Sequence, residues 1–526
     1  MSDQLPAILL LAPLMGAVLV GLAGSGDHRR CFPIAFTSLA ISLASATSLL
    51  VRVATSGPVD YFVGGWAEPL GIGIQLRIDG INALLLVAIA AVALLVSIFS
   101  TRPECDATTE KSPQFHILFL LLCVGLLGIT VTGDAFNVFV LVEVASLSSY
   151  ALVAMGSQPR GAVAAFNYII MGTIGASFYL LGVGYLYMRT GALNMSHIHS
   201  LMALPEIAGS QTVPIAFLLI LTGVWIKMAF FPLHGWLPNA YSHCPSTSSC
   251  ILAPLMTKVS VYVMIRVMLS VFGAGWVFQS AGWSHAVVWL AVIAILAGSF
   301  FALAQVDLKK MLCYLIVAEV GYMVGGAWLA NEWGMVGAIY HILADAFMTL
   351  CLFLAANVFI HHSRSPRIDH LEGLFKKMPL VTTGFVIGAL GMIGVPPTCG
   401  FFSKWYLIRG GIEAGQWHYV AALIISSLVN AVLFFRIFEM AHFGRKPAEG
   451  HHHHHDENDA DPIVQGHVSD QTGSDRPQRV STVVPVLAAA AVVILLGIFN
   501  GPIVEIIRQA LEGMPFVSPA AAVVAR

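Results

Sequence analysis

Apolar runs long enough to cross a bilayer recur along the whole chain, separated by short polar stretches. At 1.5 Å rise per residue, about 20 apolar residues span the hydrocarbon core. Such runs fall at residues 5–23, 31–52, 79–100, 116–132, 135–156, 161–188, 213–241, 247–272, 283–304, 309–330, 333–361, 378–411, 417–443 and 480–500. The pattern predicts an all-α polytopic membrane protein of about 14 transmembrane helices. Two runs are too long for one span and contain prolines: Pro232 and Pro238 in the seventh, and Gly394-Val395-Pro396-Pro397 in the twelfth. A break exposes backbone groups that lipid cannot satisfy, so broken helices 7 and 12 are expected to line a protein-enclosed or hydrated path.

Composition agrees with that pattern. Of 526 residues, 57 % are hydrophobic and only 10 % charged, against about 25 % charged in a soluble domain. With 26 Lys and Arg against 28 Asp and Glu the net charge is −2, so the basic footprint of a nucleic-acid partner is absent. Eight cysteines are scattered without Cys-x-x-Cys spacing, and no nucleotide-binding glycine motif occurs. No metal and no cofactor are therefore expected. The first run follows no basic segment and contains Pro6 and Pro13, which reads as a retained helix and not a cleaved signal. Fifteen Lys and Arg fall in the loops after odd-numbered helices and at most seven on the opposite side. The positive-inside rule then puts both termini outside and the basic loops in the cytoplasm.

An ionisable residue at a helix centre costs about 2.5–3.5 kcal/mol on insertion scales, so each one needs an enclosed partner or a function. Glu143 is the only charge between Ala135 and Gly156, Lys227 the only one from Ile207 to Tyr241, and Lys258 stands alone between Pro245 and Ile265. Glu319 lies within helix 10, Asp345 within helix 11 four residues after His341, and Lys404 just after the break in helix 12. One such residue could simply fix packing, but a row of buried titratable groups is what proton relay requires. A lysine among apolar helices holds its proton while a carboxylate is near, and releases it when that carboxylate moves or another cation approaches. Glu143 and Lys227 are 84 residues apart and Glu319 and Lys404 are 85 apart (143 to 227, 319 to 404). Duplication of a five-helix unit, helices 4–8 and 9–13, accounts for that spacing, and an odd number of spans makes the repeats inverted.

The predicted organisation is an N-terminal group of helices 1–3 (residues 1–112), a first half-channel repeat (113–273), a second (274–443), a linker (444–479), and a C-terminal helix 14 with its tail (480–526). The linker holds His451 to His455 followed by Asp456, Glu457, Asp459 and Asp461, and reads as a solvated cytoplasmic segment lacking the fixed geometry of a metal site.

Four segments carry a family likeness: Phe136 to Glu143 (Phe-Asn-Val-Phe-Val-Leu-Val-Glu), Lys227 to Pro238 (Lys-Met-Ala-Phe-Phe-Pro-Leu-His-Gly-Trp-Leu-Pro), Leu308 to Tyr314 (Leu-Lys-Lys-Met-Leu-Cys-Tyr), and Gly394 to Trp405 (Gly-Val-Pro-Pro-Thr-Cys-Gly-Phe-Phe-Ser-Lys-Trp). With these, the chain resembles the antiporter-like membrane subunits shared by respiratory complex I, membrane-bound hydrogenases and Mrp-type cation/proton antiporters. Within that family it looks most like the D-type component of Mrp antiporters. The resemblance runs from Arg77-Ile78-Asp79-Gly80 in helix 3 to about residue 440. It implies a subunit of a multisubunit exchanger of Na⁺ or K⁺ for protons in a bacterial inner membrane, working with other membrane subunits. Its alternative is a proton-pumping membrane arm of a complex I or hydrogenase type, with redox centres in partner chains. It further implies that Glu143 and Lys227 form the pair of the first half-channel, that Lys258 is a bridging lysine and that Lys404 is the terminal lysine of the second half-channel. His234 matches a histidine that some members carry at the break. Asp345 stands where many relatives have histidine, Thr349 where they have lysine, and Glu319 where complex I subunits often have histidine. The second half thus has an acid-rich centre, and either it conducts through Glu319, His341 and Asp345 or it differs from the first half in ion or rate.

Overall fold

Short Asp and Asn residues stand at the boundaries of the apolar runs, and in the computed structural model they cap the helices that follow. The structure describes residues 4–24, 27–66, 73–101, 112–156, 159–280, 283–443, 480–514 and 516. The chain opens with α1 (Leu5–Ala23) and α2 (Cys31–Ser56), then a two-stranded antiparallel sheet of β1 (Val59–Phe62) and β2 (Gln75–Ile78). There follow α3 (Gly80–Phe99), α4 (Ser112–Val131), α5 (Ala135–Ala154), α6 (Pro159–Thr190) and the short α7 (Met195–Leu201) and α8 (Pro205–Ala208). Next come α9 (Thr212–Lys227), α10 (Trp236–His243), α11 (Ser246–Arg266), α12 (Ser284–Leu303), α13 (Leu308–Ala327) and α14 (Glu332–Ser363). The chain continues through α15 (Leu374–Lys377), α16 (Pro379–Ile393), α17 (Cys399–Glu413), α18 (Trp417–Phe443), α19 (Val480–Ile498) and α20 (Asn500–Leu511).

The Asp134, Asp307 and Asn331 side chains accept the N–H of Asn137, Lys310 and Gly334 at 2.6, 2.9 and 2.8 Å. Each thereby satisfies one of the unpaired donors at the start of α5, α13 and α14. Asp79 does the same for α3, with Asn82 returning a bond to the Asp79 N–H at 2.7 Å. Arg77-Ile78-Asp79-Gly80 is therefore not part of helix 3 as the sequence suggests. Arg77 and Ile78 pair with Asp60 and Val59 across the sheet, Asp79 is the cap, and only Gly80 is helical.

Among the described residues, twelve helices are long and apolar enough to cross a membrane. Two further apolar helices, α9 and α16, are too short to cross alone, and each continues after an irregular segment as α10 or α17. These are the interrupted helices that the prolines predict. The first interruption is narrower than expected, running from Met228 to Gly235, while Pro238 lies inside α10. Near its first turn, a proline costs a helix little.

The core sits around α14, whose membrane-spanning stretch is wholly buried. It packs against α11, α13, α16, α17, α19, α3 and α20. A helix apolar all round is the expected sequence for that position. It is also where buried polar residues meet partners from several directions. The linker with its histidine tract, 444–479, lies outside the described residues.

Candidate ion-translocation site

The break in α16 follows from two residues without an N–H. Gly394 ends the helix in the left-handed region at φ 92°, which favours glycine. Pro396 and Pro397 then cannot donate to the carbonyls four residues earlier, Met392 O and Ile393 O. The Lys404 ammonium takes both, donating at 2.6 and 3.4 Å, and gives its third bond to Ser427 Oγ at 3.0 Å. It also sits 5.2 Å from the centre of the Tyr322 ring. A cation at a helix C-terminus is favoured by the helix dipole. Among the described residues, no carboxylate oxygen lies within salt-bridge distance of Lys404.

The first break is arranged differently. Lys227 is the last residue of α9 and stands before its interruption, whereas Lys404 stands after its own. The carbonyl of Ile226 accepts the Ala229 N–H at 3.2 Å and the Trp236 indole N–H at 3.0 Å, and Lys227 turns elsewhere. It reaches Glu143 Oε1 at 3.4 Å, Ser146 Oγ at 2.8 Å and the Tyr150 hydroxyl at 3.4 Å. Residues 143, 146 and 150 share one face of α5 by their spacing. A cavity of about 20 Å³, with room for a water molecule, separates Lys227 from Ser260 and Val263 of α11. That places it two residues along from Lys258.

Lys258 itself pairs with Asp345 Oδ2 at 2.8 Å, both side chains fully buried. Thr349 donates to Asp345 Oδ1 at 2.6 Å, and Lys258 also donates to the carbonyl of Ala253 at 3.2 Å. Thr349 is therefore a ligand of the central carboxylate. One turn back on α14, His341 Nε2 lies 2.6 Å from Glu319 Oε2, within hydrogen-bond reach and again with both groups fully buried. Glu319 Oε1 has no hydrogen-bond partner among the described residues.

The other imidazole nitrogen, His341 Nδ1, lies 2.8 Å from Ser403 Oγ, which is also 3.0 Å from Gly400 O. Ser403 has one hydrogen and two acceptors within reach. If it donates to Nδ1, the imidazole is neutral. If it donates to Gly400 O, Nδ1 can carry a proton and donate to Ser403, and the ring is a cation only where Nε2 is protonated as well. Rotation of one hydroxyl thus tracks whether Nδ1 of the second pair carries a proton.

The structure therefore pairs six of the eight residues singled out from the sequence, as Glu143–Lys227, Lys258–Asp345 and Glu319–His341, and sets a seventh, Lys404, apart on its carbonyls. His234 is not among them. It lies in the first interruption with its ring 5.1 Å from Phe231 and near Phe301 and Tyr314, and its Nδ1 is buried without a partner among the described residues. Sequence reasoning missed the neutral ligands Ser146, Tyr150, Ser403, Ser427 and Asn430. Helical spacing from a buried charge would have found Ser146 and Tyr150. It also missed the Asp79–Arg266 pair, 2.5 Å apart, at the edge of a cavity of about 480 Å³ lined in part by His199, Tyr262 and Gln509.

Interrupted helices wrapped around buried acid–lysine and acid–histidine pairs define a membrane transport protein of the broken-helix class. The NADH:quinone oxidoreductase/Mrp antiporter transmembrane family matches residues 132–430, more than half of the chain. The chain belongs to that family. It is 40 % identical over 512 residues to NADH-quinone oxidoreductase subunit N of Desulforudis audaxviator (strain MP104C), covering 97 % of this chain and 98 % of that protein. It is 29 % identical to the D component of the Na(+)/H(+) antiporter of Bacillus subtilis (strain 168), over 83 % of this chain and 86 % of the relative. Among solved structures it superposes on a chain of the membrane-bound sulfane sulfur reductase, an archaeal respiratory membrane complex. The TM-score is 0.84 at 28 % identity, over 96 % of this chain and 97 % of that one.

Proposed function

We propose that this chain is the proton-translocating subunit of a multisubunit monovalent cation/proton antiporter, exchanging Na⁺ or K⁺ for protons in a bacterial inner membrane. The observation that carries the reading is the set of charges within the spans: the buried Lys258–Asp345, His341–Glu319 and Lys404, and the partly exposed Glu143–Lys227 pair. Each member can gain or lose one proton as its neighbour's charge changes, so protonation of one site biases the next. The row would run through α5, α9, α11, α14, α13 and α17, with 113–273 and 274–443 as inverted half-channels after an N-terminal group at 1–112. The linker 444–479 and the basic loops would be cytoplasmic and both termini outside, as the distribution of Lys and Arg indicates.

Glu143 supports the assembly. It is 27 % exposed on the surface of this single chain, flanked along α5 by the exposed Phe136, Val140 and Leu147. A carboxylate at mid-span does not face lipid, so other membrane subunits are proposed to cover it. The test is cation-dependent proton flux in inverted vesicles carrying the whole assembly, without an electron donor. Exchange that is lost in Lys227→Ala and Glu143→Ala, at unchanged protein level, supports an exchanger with that pair in the path.

A second reading rests on the 40 % identity to a quinone oxidoreductase subunit. In it the same row is the proton path of an electron-driven pump whose redox centres lie in partner chains. Vesicles that move protons only when a redox donor is supplied favour this reading over the first.

A further inference from the structure

The cradle around Lys404 contains more oxygen than an ammonium requires. Met392 O, Ile393 O and Ser427 Oγ satisfy its three N–H donors. Asn430, fully buried on α18, donates its amide to the same Met392 carbonyl at 3.2 Å, leaving its Oδ1 without a partner among the described residues. Two carbonyls freed by a break and a hydroxyl are hard, neutral ligands, and a flip of the Asn430 amide would present its unpartnered Oδ1 where its N–H now meets Met392 O. That is the donor set of an alkali cation, and half-helix C-termini with unwound carbonyls hold such ions in other transporters. With no carboxylate at contact distance among the described residues, the cradle suits one positive charge and not two.

We infer that Lys404 and the transported alkali cation compete for this one cradle, so that arrival of Na⁺ or K⁺ displaces the ammonium and expels its proton. The inference deepens the exchanger reading and rests on it for the identity of the cation. Charge balances: the cation enters as one Lys404 N–H bond breaks, the electron pair stays on Nζ, and the proton leaves by way of the Glu319–His341 pair to the medium, so one positive charge enters as one departs. Glu319 on α13, with His341 and Asp345 on α14, supply the titratable groups on that side, and Tyr322 stands over the ammonium. From α16 and α18 the lysine meets carbonyl and hydroxyl groups, and the Asn430 amide donates to one of the same carbonyls. Ser403, on the same helix as Lys404, bonds His341 and so ties α17 to the Glu319–His341 pair.

The experiment is proton release from the purified whole assembly in weak buffer on adding NaCl or KCl, with choline chloride holding ionic strength constant. The wild type is expected to release protons saturably. Lys404→Arg keeps a positive charge that cannot be given up, and is expected to be silent. Ser427→Ala and Asn430→Ala each remove a ligand and should raise the half-saturating cation concentration about tenfold. Release that persists in Lys404→Arg, or a half-saturation unmoved in both ligand variants, overturns the inference. Failure of the exchanger reading is seen separately, as absence of cation-driven flux in vesicles. An assembly that releases protons on cation binding yet exchanges nothing would keep the cradle and remove the exchanger.

Discussion

Asp345 and Lys258 face each other in full burial, and the energetics of such a pair depend on which member is removed. Asp345→Leu strands an ammonium among apolar helices with only Thr349 and the Ala253 carbonyl near it, which costs about 3–5 kcal/mol. The double variant Asp345→Leu, Lys258→Met buries no charge and should recover most of that loss while remaining inactive in proton flux. Thermal unfolding of the purified assembly, read beside the flux, separates the two effects; a double variant as unstable as the single would show that charge burial is not the cause. Ser403 allows a subtler test. Its alanine variant removes a hydrogen-bond partner of His341 Nδ1 without creating a charge. Flux is expected to fall by about tenfold with an altered pH profile, and Ser403→Thr, which keeps the hydroxyl, should restore both. A pH profile unchanged in Ser403→Ala would mean the hydroxyl only fills space.

At the level of elements, the interruptions are held by backbone packed on backbone. A Cβ on Gly400 would lie 1.9 Å from the carbonyl of Gly391, and one on Gly497 would lie 2.0 Å from that of Pro397. Neither carbonyl can move without moving the break that presents Met392 and Ile393 to Lys404. Gly400→Ala and Gly497→Ala are therefore expected to lower the melting temperature and the flux together. Gly184→Ala, where nothing lies within 4 Å, should leave both unchanged or gain up to about 1 kcal/mol. Thermal melts of the three variants check this, and an unperturbed Gly497→Ala would refute the packing argument. The existence of both interruptions was legible in the sequence because proline and glycine act locally. Their internal geometry was not: Pro238 looks like a breaker but falls in the opening turn of α10, and Lys227 and Lys404 look equivalent by spacing yet stand on opposite sides of their breaks. The β-strand at Arg77 was missed because four residues paired to a distant segment leave no periodicity to read. Buried charges could be recognised one by one, since each is costly in lipid. Their pairing depended on tertiary placement: Lys258 meets Asp345, 87 residues away (258 to 345), only because α14 runs through the core.

For the molecule as a whole, the exposed stripe on α5 is the feature that a single chain cannot explain. Phe136, Val140 and Leu147 are 43, 40 and 62 % exposed, as an ordinary lipid-facing stripe would be, but Glu143 lies among them at the same spacing. Lipid on that face would leave a carboxylate at mid-span with one lysine at 3.4 Å and hydrocarbon on its open side, an arrangement disfavoured by several kcal/mol. A neighbouring subunit removes the conflict, and would bring a polar or cationic group to Glu143 at the point where its surface meets this chain. A photo-crosslinking residue at Leu147, one turn from Glu143, is expected to capture another membrane subunit of the assembly. The same probe at Ile174, exposed on α6, maps how far that contact extends. Lipid adducts alone at Leu147, in an assembly that still exchanges cations for protons, would mean that Glu143 is open to the bilayer. The first half-channel would then have to draw its proton from the side of the protein and not through a partner.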